Sequence, residues 1–235
     1  MRTKQHIDRL VRRVTHRGSR RRRYDVVNYF AARRGYRTYL EIGVGSGRCL
    51  ARVCMPEKIG VDPDPKAVET DWRLQKVTSD EFFETNRQTF DLILVDGLHF
   101  AEQVLRDVHN GLQVLNRGGA VLMHDCNPPN EWAQRREIDP AERRRWNGDT
   151  WKAMVFLRRN YPGLFTRVLN LDFGVGVVVP RDYENPPVLN GDFERADTLF
   201  AELSYQDLDS DRNGMLGLVR DPVDVEKELV SAGIW

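Results

Sequence analysis

The sequence lacks most of the features that would mark a membrane, secreted or cysteine-metal protein. It has three cysteines in 235 residues, Cys49, Cys54 and Cys126. The set is odd and without metal-site spacing, so reduced thiols in a cytoplasmic protein are expected rather than disulfides. No apolar run approaches the ~20 residues that cross a bilayer as a helix. The basic N-terminus is not followed by the apolar segment of a signal peptide. Net charge is also nearly absent, at a formal +1.

That balance conceals an asymmetry. Residues 2–23 are dominated by arginine and end in Arg20, Arg21, Arg22 and Arg23, whereas the chain from about Glu184 onward is acidic. A basic arm can bind nucleic acid or an anionic lipid surface. The arm has no interleaved aromatics for base stacking, and Ile7, Leu10, Val11 and Val14 recur at helical spacing. A solvated or partner-contacting helix is therefore the preferred reading, with packing against the acidic tail as a further one. Residues 24–34 read as another helix, which Gly35 stops.

The stretch from Thr38 to Leu50 organises the rest. A short apolar strand runs into alternating glycines, and residues 46–53 then read as a helix, so the turn should present backbone N–H groups as a nucleotide-binding turn does. The dinucleotide fingerprint G-x-G-x-x-G is missing, because Arg48 stands where its third glycine belongs. A dinucleotide oxidoreductase is disfavoured on that ground. What is present is E-x-G-x-G-x-G, formed by Glu41, Gly43, Gly45 and Gly47.

This motif resembles the first motif of class I S-adenosylmethionine (SAM)-dependent methyltransferases. The resemblance implies a SAM pocket that includes Glu41, Gly43, Gly45 and Ser46, and an acidic strand residue suits the ammonium and sulfonium of the methionyl part. Residues 58–61 read as a second strand ending at Asp62, about 20 residues past the glycines, where a carboxylate can accept both ribose hydroxyls. A surface turn aspartate before Pro63 is the weaker reading. A third strand is expected over 73–78, followed by Ser79 and Asp80 and a short helix over 81–87. The resemblance implies that Ser79 or Asp80 accepts from the adenine amine, while Asp80 is equally good as a helix N-cap.

Residues 90–95 form a continuous apolar run, as in a strand buried on both faces, and end in Asp96, Gly97, Leu98 and His99. A helix over 100–115, a turn at 116–119 and a second apolar strand over 120–123 lead to His124, Asp125 and Cys126. Ligands of open parallel sheets bind beyond the carboxyl ends of the strands, so Glu41, Asp62, Asp96, His99, His124 and Asp125 are expected to converge on one rim. His109, inside the helix, is read as structural.

The pattern D-G-x-H followed by G-G-x-V-L-x-H-D resembles a branch of small-molecule and glycan O-methyltransferases, of the type 24-like methyltransferase domain. The resemblance implies a divalent metal, Mg, Mn or another, on Asp96, His124 and Asp125. Compared with the related sugar and catechol O-methyltransferases, His124 stands where an acidic ligand can occur and Cys126 where the catechol enzymes have asparagine; the histidine turns the preference from magnesium toward manganese, iron or zinc. Without metal, methyl transfer needs alignment and one proton acceptor. His124 is the first candidate base, His99 a near equal, with Asp125 or Asp96 orienting the imidazole.

Residues 128–147 are polar, arginine-rich and interrupted by prolines, as in a lid whose arginines could meet an acidic substrate. Trp146 and Trp151 either line the acceptor pocket or anchor the loop, anchoring being preferred for Trp151. A helix to about residue 161 and two β runs, 165–171 and 174–179, complete the domain as an antiparallel hairpin. The tail should hold a loop at 185–192, helices over 193–203 and 222–230, and a run at 216–219. The stretch Asp207–Gly214 mimics a calcium loop, but Leu218 falls where an EF-hand needs glutamate, so a polar turn is expected.

The expected architecture is a doubly wound α/β fold: a mainly parallel, seven-stranded, Rossmann-like sheet with an antiparallel last strand. A basic arm covers 1–37, the SAM-binding domain 38–180 with a lid-like insertion at about 126–148, and an acidic extension 181–235. The expected function is SAM-dependent methylation of oxygen on a small-molecule or saccharide acceptor. N-methylation and an RNA-binding or RNA-modifying role through the arm are the alternatives, and a homodimer is left open.

Overall fold

The computed structural model describes residues 21–66, 72–138, 146–189 and 193–235. The readings that fall on the arm at 2–20, on the middle of the lid-like insertion and on the end of the 185–192 loop lie outside these residues.

Eight strands form one sheet in the order β3-β2-β1-β4-β5-β7-β6-β8. Strands β1 (Thr38–Ile42), β2 (Glu57–Val61), β3 (Arg73–Gln75), β4 (Phe90–Val95) and β5 (Leu115–Met123) run parallel. Strand β7 (Val175–Pro180) enters antiparallel between β5 and β6 (Leu164–Leu169). The order reverses between β1 and β4, which opens a crevice beyond their carboxyl ends.

Both faces of the sheet are covered, which is why the central β4 reads as a nearly continuous apolar run rather than an alternating one. On one face pack α3 (Ala101–Gln113), α4 (Thr150–Asn160) and α5 (Phe193–Glu202), around Ile93, Val121, Trp151 and Phe156. On the other lie α1 (Arg23–Arg34) and α8 (Pro222–Ser231), around Tyr29, Phe30, Leu92, Leu122 and Leu229. Gly35 ends α1 in the left-handed conformation at φ 71°, donating its N–H to Ala31. Among the described residues no helix is long and apolar enough to cross a membrane.

Four expectations need correction. No regular α-helix follows the glycine turn; the chain makes only a 3-10 turn at Leu50–Arg52 before Val53 becomes extended. Neighbours complete its hydrogen bonds instead: Asn28 donates to Arg52 O at 2.8 Å and accepts from Cys54 N at 2.7 Å, and Lys58 donates to Val53 O at 3.1 Å. The place of the missing helix is filled by α1, whose Val27 and Phe30 share a core with Val44, Leu50 and Val53.

Residues 116–119 do not separate a helix from a strand. They lie within β5 as an irregularity, where the register jumps from Phe90↔Leu115 to Leu92↔Ala120, and Gly118 at φ 81° absorbs the bend. The sheet also has an eighth strand where seven were expected, β8 (Leu218–Val219), parallel to β6 and contributed by the acidic extension. The stretch Asp207–Gly214 is helical rather than a turn, split between α6 (Tyr205–Ser210) and α7 (Arg212–Leu216). Its aspartates are occupied: Asp207 accepts from Ser204 N at 2.8 Å and Asp211 from Gly214 N at 2.9 Å.

Packing of basic segment against acidic tail is realised in the described part of the arm. Arg21 pairs with Asp221 at 3.2 Å and Arg33 with Glu226 at 2.8 Å. The Tyr29 hydroxyl donates to the same Glu226, and Phe30 meets Trp235 edge-on at 5.3 Å.

Candidate active site

A cleft of about 750 Å³ lies at the crevice between β1 and β4. This is a volume suited to a small-molecule cofactor. Ile42, Gly43, Gly45 and Ser46 form one wall, Val61, Asp62 and Asp64 another, Thr78, Ser79 and Asp80 the far end, and Asp96, Gly97 and Leu98 the near end. Gly43 is obligatory: at φ 86°, a Cβ there would sit 2.1 Å from the backbone oxygen of Asp96. The absent side chain lets β1 and β4 close together beneath the ligand space.

Asp62 is tied to the glycine turn. Its Oδ2 accepts from Gly45 N at 2.7 Å and its Oδ1 from Asp64 N at 2.9 Å. At the far end, the cap of α2 (Ser79–Thr85) is neither Asp80 nor Ser79 but Thr78, whose hydroxyl accepts from Glu81 N at 3.2 Å while Glu81 accepts from Thr78 N at 2.9 Å. Asp80 is thereby released to face the cleft, where Gln103 of α3 donates to its Oδ1 at 3.2 Å and to Ser79 Oγ at 3.2 Å. Gln103 lines the cleft and was missed from sequence, where it is one polar residue on an amphipathic helix.

Glu41 is not in the cleft. The two-residue period of β1 puts it on the face of Tyr39, under α1, with 1% exposure. Its Oε2 accepts from the Tyr39 hydroxyl at 2.8 Å. Burial pushes its carboxyl up to about 7, against the hydrogen bond from Tyr39. The acidic residue of the motif is therefore part of the packing beneath α1, and the expectation that it meets the methionyl ammonium directly is set aside.

Beyond the near end of the cleft, Asp96, His99, His124 and Asp125 converge as expected, but two further groups join them. Asp172, in the β6–β7 turn at φ 47°, accepts from Arg23 N at 3.0 Å and pairs with Arg22 at 2.6 Å. Arg23, the first residue of α1, places its Nε 2.9 Å from Asp96 Oδ2 and its Nη1 3.4 Å from Asp172 Oδ2. The Nε contact is ionic rather than an aligned hydrogen bond. In the sequence Arg23 is only the end of a basic run and Asp172 only a residue between two β runs.

The two histidines have different surroundings. His124 is buried, with Nε2 2.7 Å from the Asp172 carbonyl, and Nδ1 3.0 Å from Asp96 Oδ1 and 3.2 Å from Asp125 Oδ1. Nε2 must donate to the carbonyl, and Nδ1 is well placed to donate to the carboxylates. Burial would lower its pKa, but Asp125 and Asp96 outweigh burial and hold it well above the ordinary histidine value. No lone pair of His124 is left for a ligand proton, which removes it as the first candidate base.

His99 lies next to Leu98 with its side chain 17% exposed. Its Nδ1 is 3.1 Å from Asp125 Oδ2, somewhat off a hydrogen-bond line, and its Nε2 is 3.6 Å from Asp96 Oδ1. Burial lowers its pKa and the two carboxylates raise it, with a net upward shift. The indole of Trp146 stacks on the imidazole at 5.0 Å and 9°. Asn147, from the same end of the lid, donates to Asp125 Oδ1. Trp151 is an anchor, fully buried and donating to Gln134 at 3.1 Å. Arg136 of the lid pairs with Glu102 and, at 2.8 Å, with Asp149, so it is engaged within the fold.

One ligand atom each of Asp96, His124 and Asp125 can lie within 4.8 Å of the other two, the spacing of a single cation's ligands. The charges do not fit one. Asp96 faces His124 on Oδ1 and Arg23 on Oδ2. Asp125 faces His124 and Asn147 on Oδ1 and His99 on Oδ2. Every carboxylate oxygen of the trio already faces a nitrogen, and a divalent metal would have to displace the His124 proton beside a fixed guanidinium.

Residues 40–126 match the family described as a methyltransferase domain. No curated protein matches the chain. The S-adenosylhomocysteine-bound methyltransferase PaMTH1 of Podospora anserina is similar over 77% of this chain and 88% of its own, at 19% identity and a TM-score of 0.54. Cofactor-bound Rv0187 from MTB is similar over 77% and 88%, at 16% identity and a TM-score of 0.52. A Staphylococcus aureus protein assigned as a caffeoyl-CoA O-methyltransferase is similar over 67% and 82%, at 15% identity and a TM-score of 0.51. These likenesses concern the fold, while the family match spans β1 to β5 with the glycine turn, Asp62, Asp96 and His124. Over residues 40–126 the chain is similar to a methyltransferase domain, on a fold shared with cofactor-bound methyltransferases.

Proposed function

We propose that the chain methylates a hydroxyl group of a small-molecule or saccharide acceptor. The observation that carries this reading is the continuity of the cleft, from Asp62 and Asp80 at one end to Asp96 and Leu98 at the other, with the His99–Asp125 pair standing just beyond Leu98. SAM would lie with its ribose at Asp62, its adenine toward Ser79, Asp80 and Gln103, and its sulfonium toward Asp96. The acceptor would approach from the side of Leu98, Trp146 and His99.

In the reaction the acceptor oxygen forms a bond to the methyl carbon as the carbon–sulfur bond breaks, and the electron pair stays on sulfur. The acceptor proton passes to His99 Nε2, the ring nitrogen less engaged by carboxylate. Asp125 holds Nδ1 and stabilises the imidazolium that forms. Trp146 fixes the ring plane. An amine acceptor could use the same groups, so oxygen is preferred on the weaker ground of likeness to a protein assigned as an O-methyltransferase. RNA binding is disfavoured for the described end of the arm, since Arg21, Arg22 and Arg23 all pair with carboxylates of the fold.

The test is calorimetric titration of the purified protein with SAM, S-adenosylhomocysteine and NADH, followed by acceptor screening with isotopically labelled SAM and mass analysis of the product. Binding of the adenosyl ligands alone, and a methylated hydroxyl, are expected. Binding of NADH alone would overturn the cofactor assignment, and a methylated nitrogen would overturn the acceptor assignment.

A further inference from the structure

We propose that Arg23 supplies, from the chain's own first described helix, the fixed positive charge at the ends of β4 and β5, and so keeps a divalent metal out of the Asp96–His124–Asp125 site. The inference rests on the reading of the cleft as a SAM site only for its consequence, metal-independent methyl transfer; the geometry that carries it is independent of that reading.

Three carboxylates, Asp96, Asp125 and Asp172, crowd the near end of the cleft, each with a side chain no more than 7% exposed. Such a cluster is stable only with compensating cations. Arg23 bridges two of them, with Nε at 2.9 Å from Asp96 and Nη1 at 3.4 Å from Asp172. It is also held by its backbone, whose N–H donates to Asp172 Oδ2 at 3.0 Å, so the carboxylate sits at the N-terminus of α1, where a negative charge is favoured. Arg22 adds a second pairing to Asp172 at 2.6 Å. The α1 helix is in turn fixed by its burial beneath β1 and by Glu226. The guanidinium is therefore a positioned group of the fold rather than a mobile surface arginine.

A metal bound to Asp96 Oδ1 would lie close to this guanidinium, which already neutralises the other oxygen of the same carboxylate. The two cations compete for one charge, and the one covalently tied to the fold needs no uptake from solution. Arg23 acts through Asp96 and Asp172 and is a positioning residue. Removing its charge while keeping its length should leave the carboxylate trio under-neutralised and open to a cation.

The test is titration of chelator-treated protein with Mn²⁺, by calorimetry and electron paramagnetic resonance, for wild type, Arg23→Met, Arg23→Lys and the double variant Arg23→Met with Asp96→Asn. Wild type and Arg23→Lys are expected to show no saturable Mn²⁺ binding. Arg23→Met should gain it, and the double variant should lose it again by about 10-fold or more. A merely structural role for Arg23 would lower the melting temperature without creating a site that depends on Asp96. Saturable Mn²⁺ binding by wild type, with an affinity that Arg23→Met leaves unchanged, would overturn the proposal. Should Arg23→Met fail to fold by circular dichroism, Arg23→Gln replaces it, and wild-type binding still decides. S-adenosylhomocysteine titrated into the same samples reports on the cofactor reading separately: its failure to bind would remove that reading and leave the Mn²⁺ comparison standing.

Discussion

Gly45 donates its backbone N–H to Oδ2 of Asp62 over 2.7 Å, which makes the glycine turn after β1 and the carboxylate after β2 one mechanical unit. Asp62 thus has two duties in the proposed function, holding the turn in shape and accepting from the ribose. Asp62→Ala removes both, and hydrogen bonds to a charged acceptor contribute more than neutral ones. The expected result is a loss of about 100-fold in S-adenosylhomocysteine affinity by calorimetry. Asp62→Asn, which can still accept from Gly45, should fall between. Unchanged affinity in Asp62→Ala would mean the ligand does not lie along this wall.

The close approach of β1 and β4 gives a stability prediction. Gly43→Ala places a methyl group 2.1 Å from the carbonyl oxygen of Asp96, with backbone on both sides of the clash. Neither partner can rotate away, so the cost should be on the order of 3 kcal/mol or more in urea denaturation. Gly35→Ala is the control: its φ is similarly positive at 71°, but nothing lies within 4 Å of the new carbon, and only the backbone strain of about 1 kcal/mol is expected. Equal costs at the two sites would show that β4 gives way.

These contrasts explain what the sequence could disclose. The extents of β4, the end of α1 at Gly35 and the β6–β7 hairpin were legible because each depends on a local signal: a doubly buried apolar run, a left-handed glycine, a pair of β runs about a short turn. Asp62 and Asp96 were legible because strand ends can be counted. The helix expected over residues 46–53 was wrong because the partners that make a shorter turn sufficient, Asn28 and Lys58, lie in other elements. Arg23 and Asp172 were invisible as site residues for the same reason, standing 149 positions apart with no periodicity to connect them. Glu41 was misplaced for a subtler reason. Strand parity puts it with Tyr39 and opposite Ile42, and only the position of α1 decides which of those faces is closed.

That closed position predicts a pH dependence. Folding moves the Glu41 carboxyl from an ordinary 4.5 to about 7, with burial the main cause. The folded state then holds the proton more tightly than the unfolded chain. The stabilisation is full below the unfolded value and is lost as pH rises toward the folded one, by about 3 kcal/mol in all. Glu41→Gln keeps an acceptor for the Tyr39 hydroxyl but cannot ionise. Wild type should lose about 3 kcal/mol more than the variant between pH values of about 5 and about 8 in urea denaturation. Parallel losses would show that Glu41 does not ionise across that window.

The two histidines separate stability from chemistry. His124 neutralises Asp96 and Asp125 from a site where its side chain is 5% exposed. His124→Ala strips both buried carboxylates of a cationic partner, and the expected cost is about 3–5 kcal/mol. His99→Gln leaves those contacts in place, retains a side-chain amide that can donate to Asp125, and should cost about 1 kcal/mol or less. Its effect belongs on methyl transfer, because glutamine cannot take the acceptor proton; a loss of about 100-fold or more in kcat is expected, with S-adenosylhomocysteine affinity unchanged. Urea denaturation and calorimetry check the first two statements, and single-turnover transfer from labelled SAM checks the third. A His99→Gln enzyme with wild-type kcat would return the proton to another acceptor, while a His124→Ala protein as stable as wild type would show that Arg23 beside Asp96 and His99 beside Asp125 suffice to neutralise the two carboxylates.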